Sequence, residues 1–206
     1  LEIVAMIGEV LSVNAVLDEH RNLSLVNYGE IIASHLEAVD FAKDYLSVPV
    51  KRKFNTIVTS AAGYPLDATY YQTVKGMVVP YQILEPGGDL IIASECAEGL
   101  GSNEFKKAQK MLVGTGAEDF CAKISAKSYA AVDEWQTQMQ TKIMNVGNVH
   151  LYAPGLQRSD QKLTGVNIIR DLNEFVESRV IKNLDLFGES SLAIIPEGPY
   201  VVPTLN

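Results

Sequence analysis

The spacing of hydrophobic positions changes along the chain, and each change marks an element. Residues 10–17, VLSVNAVL, alternate in the two-residue period of a strand, residues 18–22 supply a turn, and the apolar character resumes over 23–26, which predicts a hairpin. From 30 to 46 the period lengthens: Ile31, Ile32, His35, Ala38, Val39, Ala42 and Leu46 recur at helical spacing and predict a helix with one apolar face. The opening LEIVAMIG reads as strand-like. Further on, short apolar runs predict strands at 48–50, 56–60, 89–94, 148–153, 166–170 and 191–195. Longer periodic segments predict helices at 67–79, 103–113, 118–128, 133–146 and 172–183. Such alternation implies an α/β fold over 1–206: a layered, largely parallel or mixed sheet flanked by helices, with an N-terminal hairpin-helix segment. Ligands of such sheets usually lie beyond the C-terminal strand ends.

Within this pattern, residues 54–105 carry polar groups that folding alone does not require. The strand at 56–60 runs into Ala61-Ala62-Gly63-Tyr64-Pro65, and Asp67 stands where the N-cap of the next helix is expected. Gln72 and Lys75, three residues apart, share one helix face near that end. An amide beside an ammonium beneath a small-residue turn suits an anionic ligand, although a solvated helix face has the same spacing. Pro80 must end or kink the helix, and Pro86-Gly87-Gly88 is a turn into the next strand. That strand leads into the loop Glu95 to Gly101, so two neighbouring strand-to-helix loops are expected to face one cleft. Gly99 and Gly101 open a dinucleotide-type fingerprint, but its third glycine falls at Glu104, which argues against a Rossmann cofactor site.

Composition narrows the functions. A chain of 206 residues, 47% hydrophobic, can bury a sizeable core. Its net charge of −8, with no basic cluster longer than Lys51-Arg52-Lys53, is unfavourable for nucleic acid. No apolar run approaches the ~20 residues that span a bilayer and no basic leader precedes a signal-like core, so a cytoplasmic protein without a membrane partner is expected. Cys96 and Cys121 lack metal-site spacing and read as free thiols in a reducing compartment. The chain starts at Leu1, directly in an apolar run, as expected of a segment of something longer. His20, His35 and His150 form no helical pair, so a self-contained metal site is not expected. Ser60 ends a strand as a nucleophile would, without the surrounding GxSxG. Trp135 continues through Met139 and Ile143 at four-residue spacing, as core packing would, while Gln136 and Gln138 give the same helix a polar side.

The ordered segments GYPLDATYYQTVKG, EPGGDLIIASECAEGLG and WQTQ resemble the C-terminal domain of the nickel-pincer-nucleotide-dependent lactate racemase family. The likeness extends to the hairpin-helix segment 11–46 and, more weakly, to IIPEGPYVVP near the end. Where the family commonly reads GGYPLDQNLYQAVKG, this chain has Ala61-Ala62-Gly63 at the leading glycines and Ala68-Thr69 at the Gln-Asn pair. Carried over by position, the resemblance gives Gln72 and Lys75 contacts to substrate or cofactor and makes Trp135 a site tryptophan. It implies a racemase or epimerase of 2-hydroxy acids whose nickel-pincer cofactor takes a hydride from the α-carbon and returns it to either face. In that family the catalytic histidines, the nickel histidine and the tethering lysine come from the N-terminal half. None of these roles falls on His20, His35 or His150, so this segment alone is expected to be inactive and to supply one wall of an interdomain site. The competing class is a non-enzymatic α/β module that binds a small carboxylate or phosphate through the same turn and lysine.

Overall fold

The structure is a computed structural model that describes residues 2–18, 20–187 and 191–206. It divides into two compact units, Leu1–Ser47 and Val48–Asn206.

The first unit holds α1 (Glu2–Ile7), β1 (Leu11–Leu17), β2 (Leu23–Glu30) and α2 (Ile31–Leu46). The opening segment is therefore a helix and not a strand. Ile3, Met6 and Ile7 have helical spacing, and Glu2 in the first turn suits the positive end of the helix dipole. β1 and β2 pair antiparallel, with Val13 opposite Tyr28 and Ala15 opposite Val26, as the alternation predicted; Glu19 of the expected turn lies outside the described residues. α2 starts where the Glu30 carboxylate accepts hydrogen bonds from the backbone N–H groups of Ile32 and Ala33, at 3.1 and 2.9 Å. Its buried residues are Ser34 and Ala38, and His35, expected on the semi-buried face, is exposed.

The contacts explain that departure. Ser12 Oγ meets Ser34 Oγ at 2.6 Å, and Asn14 Nδ2 donates to Asn27 Oδ1 at 3.0 Å and to Ser34 Oγ at 3.2 Å. Asn27 Nδ2 in turn donates to the Ser34 carbonyl at 2.8 Å and to Glu37 Oε2 at 2.9 Å. The polar face of the hairpin thus lies against the helix, and its apolar face points outward.

In the second unit, β3 (Ser47–Val50) is followed by β4 (Phe54–Ser60), α3 (Tyr70–Val78) and a 3-10 turn over Val79–Ile83. β5 (Leu84–Ala93), α4 (Asn103–Thr115), α5 (Ala117–Ser125), α6 (Glu134–Met144) and β6 (Asn148–Tyr152) come next. The unit closes with α7 (Arg158–Gln161), β7 (Asn167–Ile169), α8 (Leu172–Phe187), β8 (Leu192–Ile195) and β9 (Val202–Leu205), which pairs with β3. Five strands in the order β7-β6-β5-β4-β8 make a wholly parallel sheet. This is the α/β layered fold that the alternating pattern implied. Pro86-Gly87-Gly88 does not precede β5 but forms an irregularity within it, across which the register jumps from Phe54 opposite Leu84 to Thr56 opposite Asp89.

Alternation along each strand gives the sheet two unlike faces. One presents Ile57, Leu90, Ile92, Val149 and Leu151 to Tyr70, Val74 and Met77 of α3, Phe105 of α4 and Ile143 of α6. The other carries Thr56, Asp89 and His150 beneath α8. Here Asn183 Nδ2 donates to Thr56 Oγ1 at 2.6 Å, and His150 Nε2 meets Asp89 Oδ1 at 2.7 Å. Phe175 of α8 covers the His150 ring at 4.6 Å between centroids, and the Arg179 guanidinium stacks on Phe175 at 4.5 Å. Burial pushes the Asp89 carboxyl up, but the His150 hydrogen bond and the charges of Arg179, His150 and Lys182 outweigh it and hold the group below its ordinary value.

At the C-terminal end of the sheet, where β8 returns to the far side of β4, the crevice is filled. Ser60 Oγ donates to the Pro196 carbonyl, and a Cβ on Gly198 would stand 2.5 Å from Thr59 Oγ1 and 2.7 Å from the Ser60 carbonyl. Only glycine lets the segment after β8 lie this close to β4.

Candidate functional site

The N-terminus of α3 is closed by protein. Thr69, not Asp67, is its N-cap, with Oγ1 accepting from the Gln72 N–H, and the N–H groups of Tyr70 and Tyr71 donate to the carbonyls of Gly99 and Leu100, each at 3.0 Å. Asp67 serves the opposite loop: its carbonyl accepts from Cys96 N–H at 2.8 Å and its carboxylate from Glu95 N–H at 3.3 Å. The two strand-to-helix loops are therefore laced together and do not flank an open cleft. Gly99 and Gly101 belong to this lacing, with φ of 83° and 125°; a Cβ on Gly101 would lie 2.9 Å from the Tyr71 Cβ. With the first donors of α3 used, the space available to a ligand lies further along the helix.

That space is a pocket of about 320 Å³ on the helical layer. Lys75, Val78 and Val79 reach it from α3 and its extension, Tyr81 and Gln82 from the 3-10 turn, Trp135, Gln136 and Met139 from α6, and Val202 and Pro203 from β9. The structure brings Lys75 and Trp135 to one pocket from two helices. Gln72 sits one turn before Lys75 and outside the lining, yet its side-chain Oε1 is buried without a hydrogen-bond partner among the described residues. Lys75 is exposed and makes no ion pair among the described residues, whereas the other lysine near Trp135, Lys127, is tied to Glu134 at 2.5 Å.

Trp135 is 51% exposed, a large fraction for a tryptophan in a folded domain. Its stripe divides: Met139 lines the pocket and Ile143 is fully buried in the core, so the four-residue spacing serves both. The indole is held edge-on by Tyr71, centroids 6.2 Å apart, and Tyr71 in turn packs edge-on against Phe105 at 5.2 Å. Burial, then the charge and hydrogen bond of Asp133, raise the Tyr71 phenol above its ordinary value, so it remains a donor to that carboxylate. Asp133, at φ 62° just before α6, also accepts from Ser102 Oγ at 2.5 Å. Gln136 Nε2 completes the link by donating to the Tyr71 carbonyl at 2.7 Å. Gln136 is thus buried and does not belong to a wet side of α6; the buried face of this helix is itself polar, with Gln140 donating to the Thr164 carbonyl at 2.6 Å.

Sequence reasoning missed Tyr81, Gln82, Val202 and Pro203. The IIPEGPYVVP segment was a signal for the last two, through the weak likeness it carries. His150 is buried in the sheet of the second unit, while His20 and His35 belong to the first unit. Among the described residues, no three His, Cys, Asp or Glu side chains are grouped so as to hold a metal ion. Cys96 is buried and Cys121 half-buried, both free, and no described helix is long and apolar enough to cross a membrane.

Comparison with known proteins places the fold. The profile of the lactate racemase C-terminal domain family matches residues 50–202. The chain belongs to that family. As a member of the lactate racemase C-terminal domain family, it is 27% identical over 191 residues to the lactate racemase of Thermoanaerobacterium thermosaccharolyticum, covering 92% of this chain and 43% of that protein. It is 33% identical over 93 residues to the lactate racemase of Lactiplantibacillus plantarum, 45% of this chain and 22% of that one. The apoprotein structure of the T. thermosaccharolyticum lactate racemase superposes with a TM-score of 0.79 at 25% identity, over 94% of this chain and 46% of that chain. A Thermotoga maritima protein shares the fold at a TM-score of 0.52 and 15% identity. The chain thus spans less than half the length of these racemases. Of the 191 aligned residues at most 157 can fall between 50 and 206, so at least 34 lie before the family domain begins.

Proposed function

We propose that this chain is the C-terminal part of a cytoplasmic, nickel-pincer-nucleotide-dependent racemase or epimerase of 2-hydroxy acids, in which the pocket between α3, α6 and β9 forms one wall of an interdomain active site. The observation that carries the reading is the convergence of a lysine without an ion pair among the described residues and a half-exposed tryptophan on one largely apolar pocket. A 2-hydroxy acid is small, carries one carboxylate and presents an apolar remainder. The Lys75 ammonium balances such a carboxylate with a charge-assisted hydrogen bond worth about 1–3 kcal/mol once water is excluded. Trp135 and Met139 give the rest of the molecule an apolar wall, and Trp135 keeps its orientation through Tyr71 and Gln136.

The residues present fit the cofactor as contacts from one side. Among the described residues, the buried Gln72 Oε1 has no hydrogen-bond donor and Lys75 has no ion-pair partner, so both can serve a ligand. When bound, the cofactor supplies the hydride acceptor. Within this chain, Gln72 and Lys75 would orient and Trp135 would exclude water. Lysine as an ammonium only donates, so Lys75 holds the carboxylate and does not take up the hydroxyl proton.

The test uses the full-length protein loaded with nickel-pincer nucleotide, and chiral chromatography of single 2-hydroxy acid enantiomers. The reading expects interconversion of at least one acid and its loss in Lys75→Ala. If no 2-hydroxy acid is interconverted and no cofactor absorbance accompanies the protein, the racemase reading falls. Chemical-shift changes confined to Lys75 and Trp135 on adding lactate without cofactor would then favour the carboxylate-binding module.

A further inference from the structure

The first unit is built inside out. Its hairpin turns Ser12, Asn14 and Asn27 toward α2 and leaves Val13 and Tyr28, directly opposite one another, each 68% exposed. Leu17, Leu23 and Val26 are exposed as well, and so are Ile3, Met6 and Ile7 of α1. Thirteen of the twenty-six exposed large apolar side chains among the described residues precede Ser47, although this unit is less than a quarter of the chain. Of its own described residues it buries only Ser34 and Ala38. A two-stranded hairpin with two helices and no apolar core is not expected to be stable in water by itself, and a contiguous apolar face of this kind marks an interface.

Charge and family likeness identify what covers the face. Residues 1–47 hold eight carboxylates against two Lys and Arg side chains, so they carry −6 of the chain's net −8. Stacking two copies face to face would bring two units of that charge together, which opposes self-association. The likeness to lactate racemase continues at least 34 residues upstream of the family domain, so the unit has a counterpart in those chains. More than half of the T. thermosaccharolyticum apoprotein lies outside the matched part.

We propose that the outward apolar face of the β1–β2 hairpin is a docking surface, covered in the full-length polypeptide by an apolar, basic-rimmed surface from the part of that polypeptide outside these 206 residues. Val13 and Tyr28 form its centre, since a β-branched and an aromatic residue paired across strands present one continuous surface. The inference rests on family membership and not on the reading of the Lys75 pocket; a protein with no racemase activity leaves it intact.

The test places a photo-crosslinking phenylalanine analogue at Tyr28 of the full-length polypeptide, with Tyr129, 76% exposed in the second unit, as control position. Irradiation followed by peptide mapping is expected to join position 28 to residues of the same polypeptide outside this segment, with no such product from position 129. Crosslinks between two copies overturn the proposal, and so does the absence of any crosslink from position 28. As a second measurement, Val13→Asp with Tyr28→Asp is expected to lower the melting temperature of the full-length protein by roughly 5 °C or more. An unchanged melting temperature overturns the proposal.

Discussion

The two faces of the parallel sheet are held by different physics. Beneath α3, α4 and α6 the strands contribute Ile57, Leu90, Ile92, Val149 and Leu151, fully or almost fully buried, and the contact is one of shape. Beneath α8 the same strands contribute Thr56, Asp89 and His150, and the contact is a set of directed bonds to or beside Phe175, Arg179 and Asn183. The apolar face leads outward to the pocket, through Phe105, Tyr71 and Trp135 in sequence. The polar face makes no contribution to that pocket's lining. A close-packed layer fixes a side chain to within the tolerance of packing, which is what an indole wall opposite a small substrate needs. The Asn183–Thr56 hydrogen bond and the Arg179 charge beside Asp89 instead tie α8 to the sheet, and the second of these depends on pH.

The largest effect is expected from Phe105→Ala, which empties the centre of the apolar layer and should cost about 3–5 kcal/mol in denaturant unfolding. A loss under 1 kcal/mol would break the contrast between the faces. Next comes Asp89→Ala, expected to cost about 3 kcal/mol, because His150 and Arg179 lose a shared buried partner. Replacing Asp89 and His150 together by leucine should recover part of that loss, since both partners of a buried hydrogen bond are then removed and the imidazole is not left unpartnered. If the double replacement is as poor as the single one, the pair does more than satisfy itself.

The sign of the pH effect follows from Asp89. Its native carboxyl is held below the ordinary 3.8, so its stabilisation is complete above that value and is lost as pH falls through the lower native one. Asp89→Asn should therefore flatten the acid limb of a stability-against-pH curve, whereas Phe105→Ala should displace the whole curve without reshaping it.

Smaller again, Gln136→Leu removes the side-chain hydrogen bond to the Tyr71 carbonyl and should cost about 1 kcal/mol. It should also change the near-ultraviolet circular dichroism of Trp135, which a substitution on the α8 face should not. Smallest in stability is Lys75→Ala, expected within about 1 kcal/mol in thermal unfolding because the side chain is exposed and unpaired among the described residues. Under the proposed function, the same change in the full-length protein should nearly abolish racemisation. A Lys75→Ala protein that unfolds easily but turns over normally would make the lysine structural.

Much of this architecture could be read from periodicity. The parallel strands were continuous apolar runs, and the crossover helices showed helical spacing beside them. α8 was visible as a helix, and its Phe175, Arg179 and Asn183 recur every four residues, yet a polar stripe reads as solvent-facing until the sheet beneath it is known to be polar too. The same ambiguity hid the hairpin's orientation, because alternation gives two faces but does not say which is inside. At the site, the spacing of Gln72 and Lys75 was legible, but where a ligand could approach was not. Asp67 looked like the cap, and only the hydrogen bonds from Tyr70 and Tyr71 to Gly99 and Leu100 show the helix start to be occupied. Tyr81 and Gln82 gave no signal, because a 3-10 turn after Pro80 reads simply as the end of a helix.

Gly198, pressed onto Thr59 and Ser60, has a consequence for how such a protein changes over generations. In most doubly wound sheets the strand ends both build the fold and touch the ligand, so a change of specificity there risks a change of stability. Here that position is already taken by the chain itself, and groups that line the pocket, such as Gln82, Met139 and Val202, stand on the outer layer. They can be exchanged one at a time while the sheet and its filled crevice stay as they are, so under the proposed reading a change in the ligand accepted need not be a change in stability.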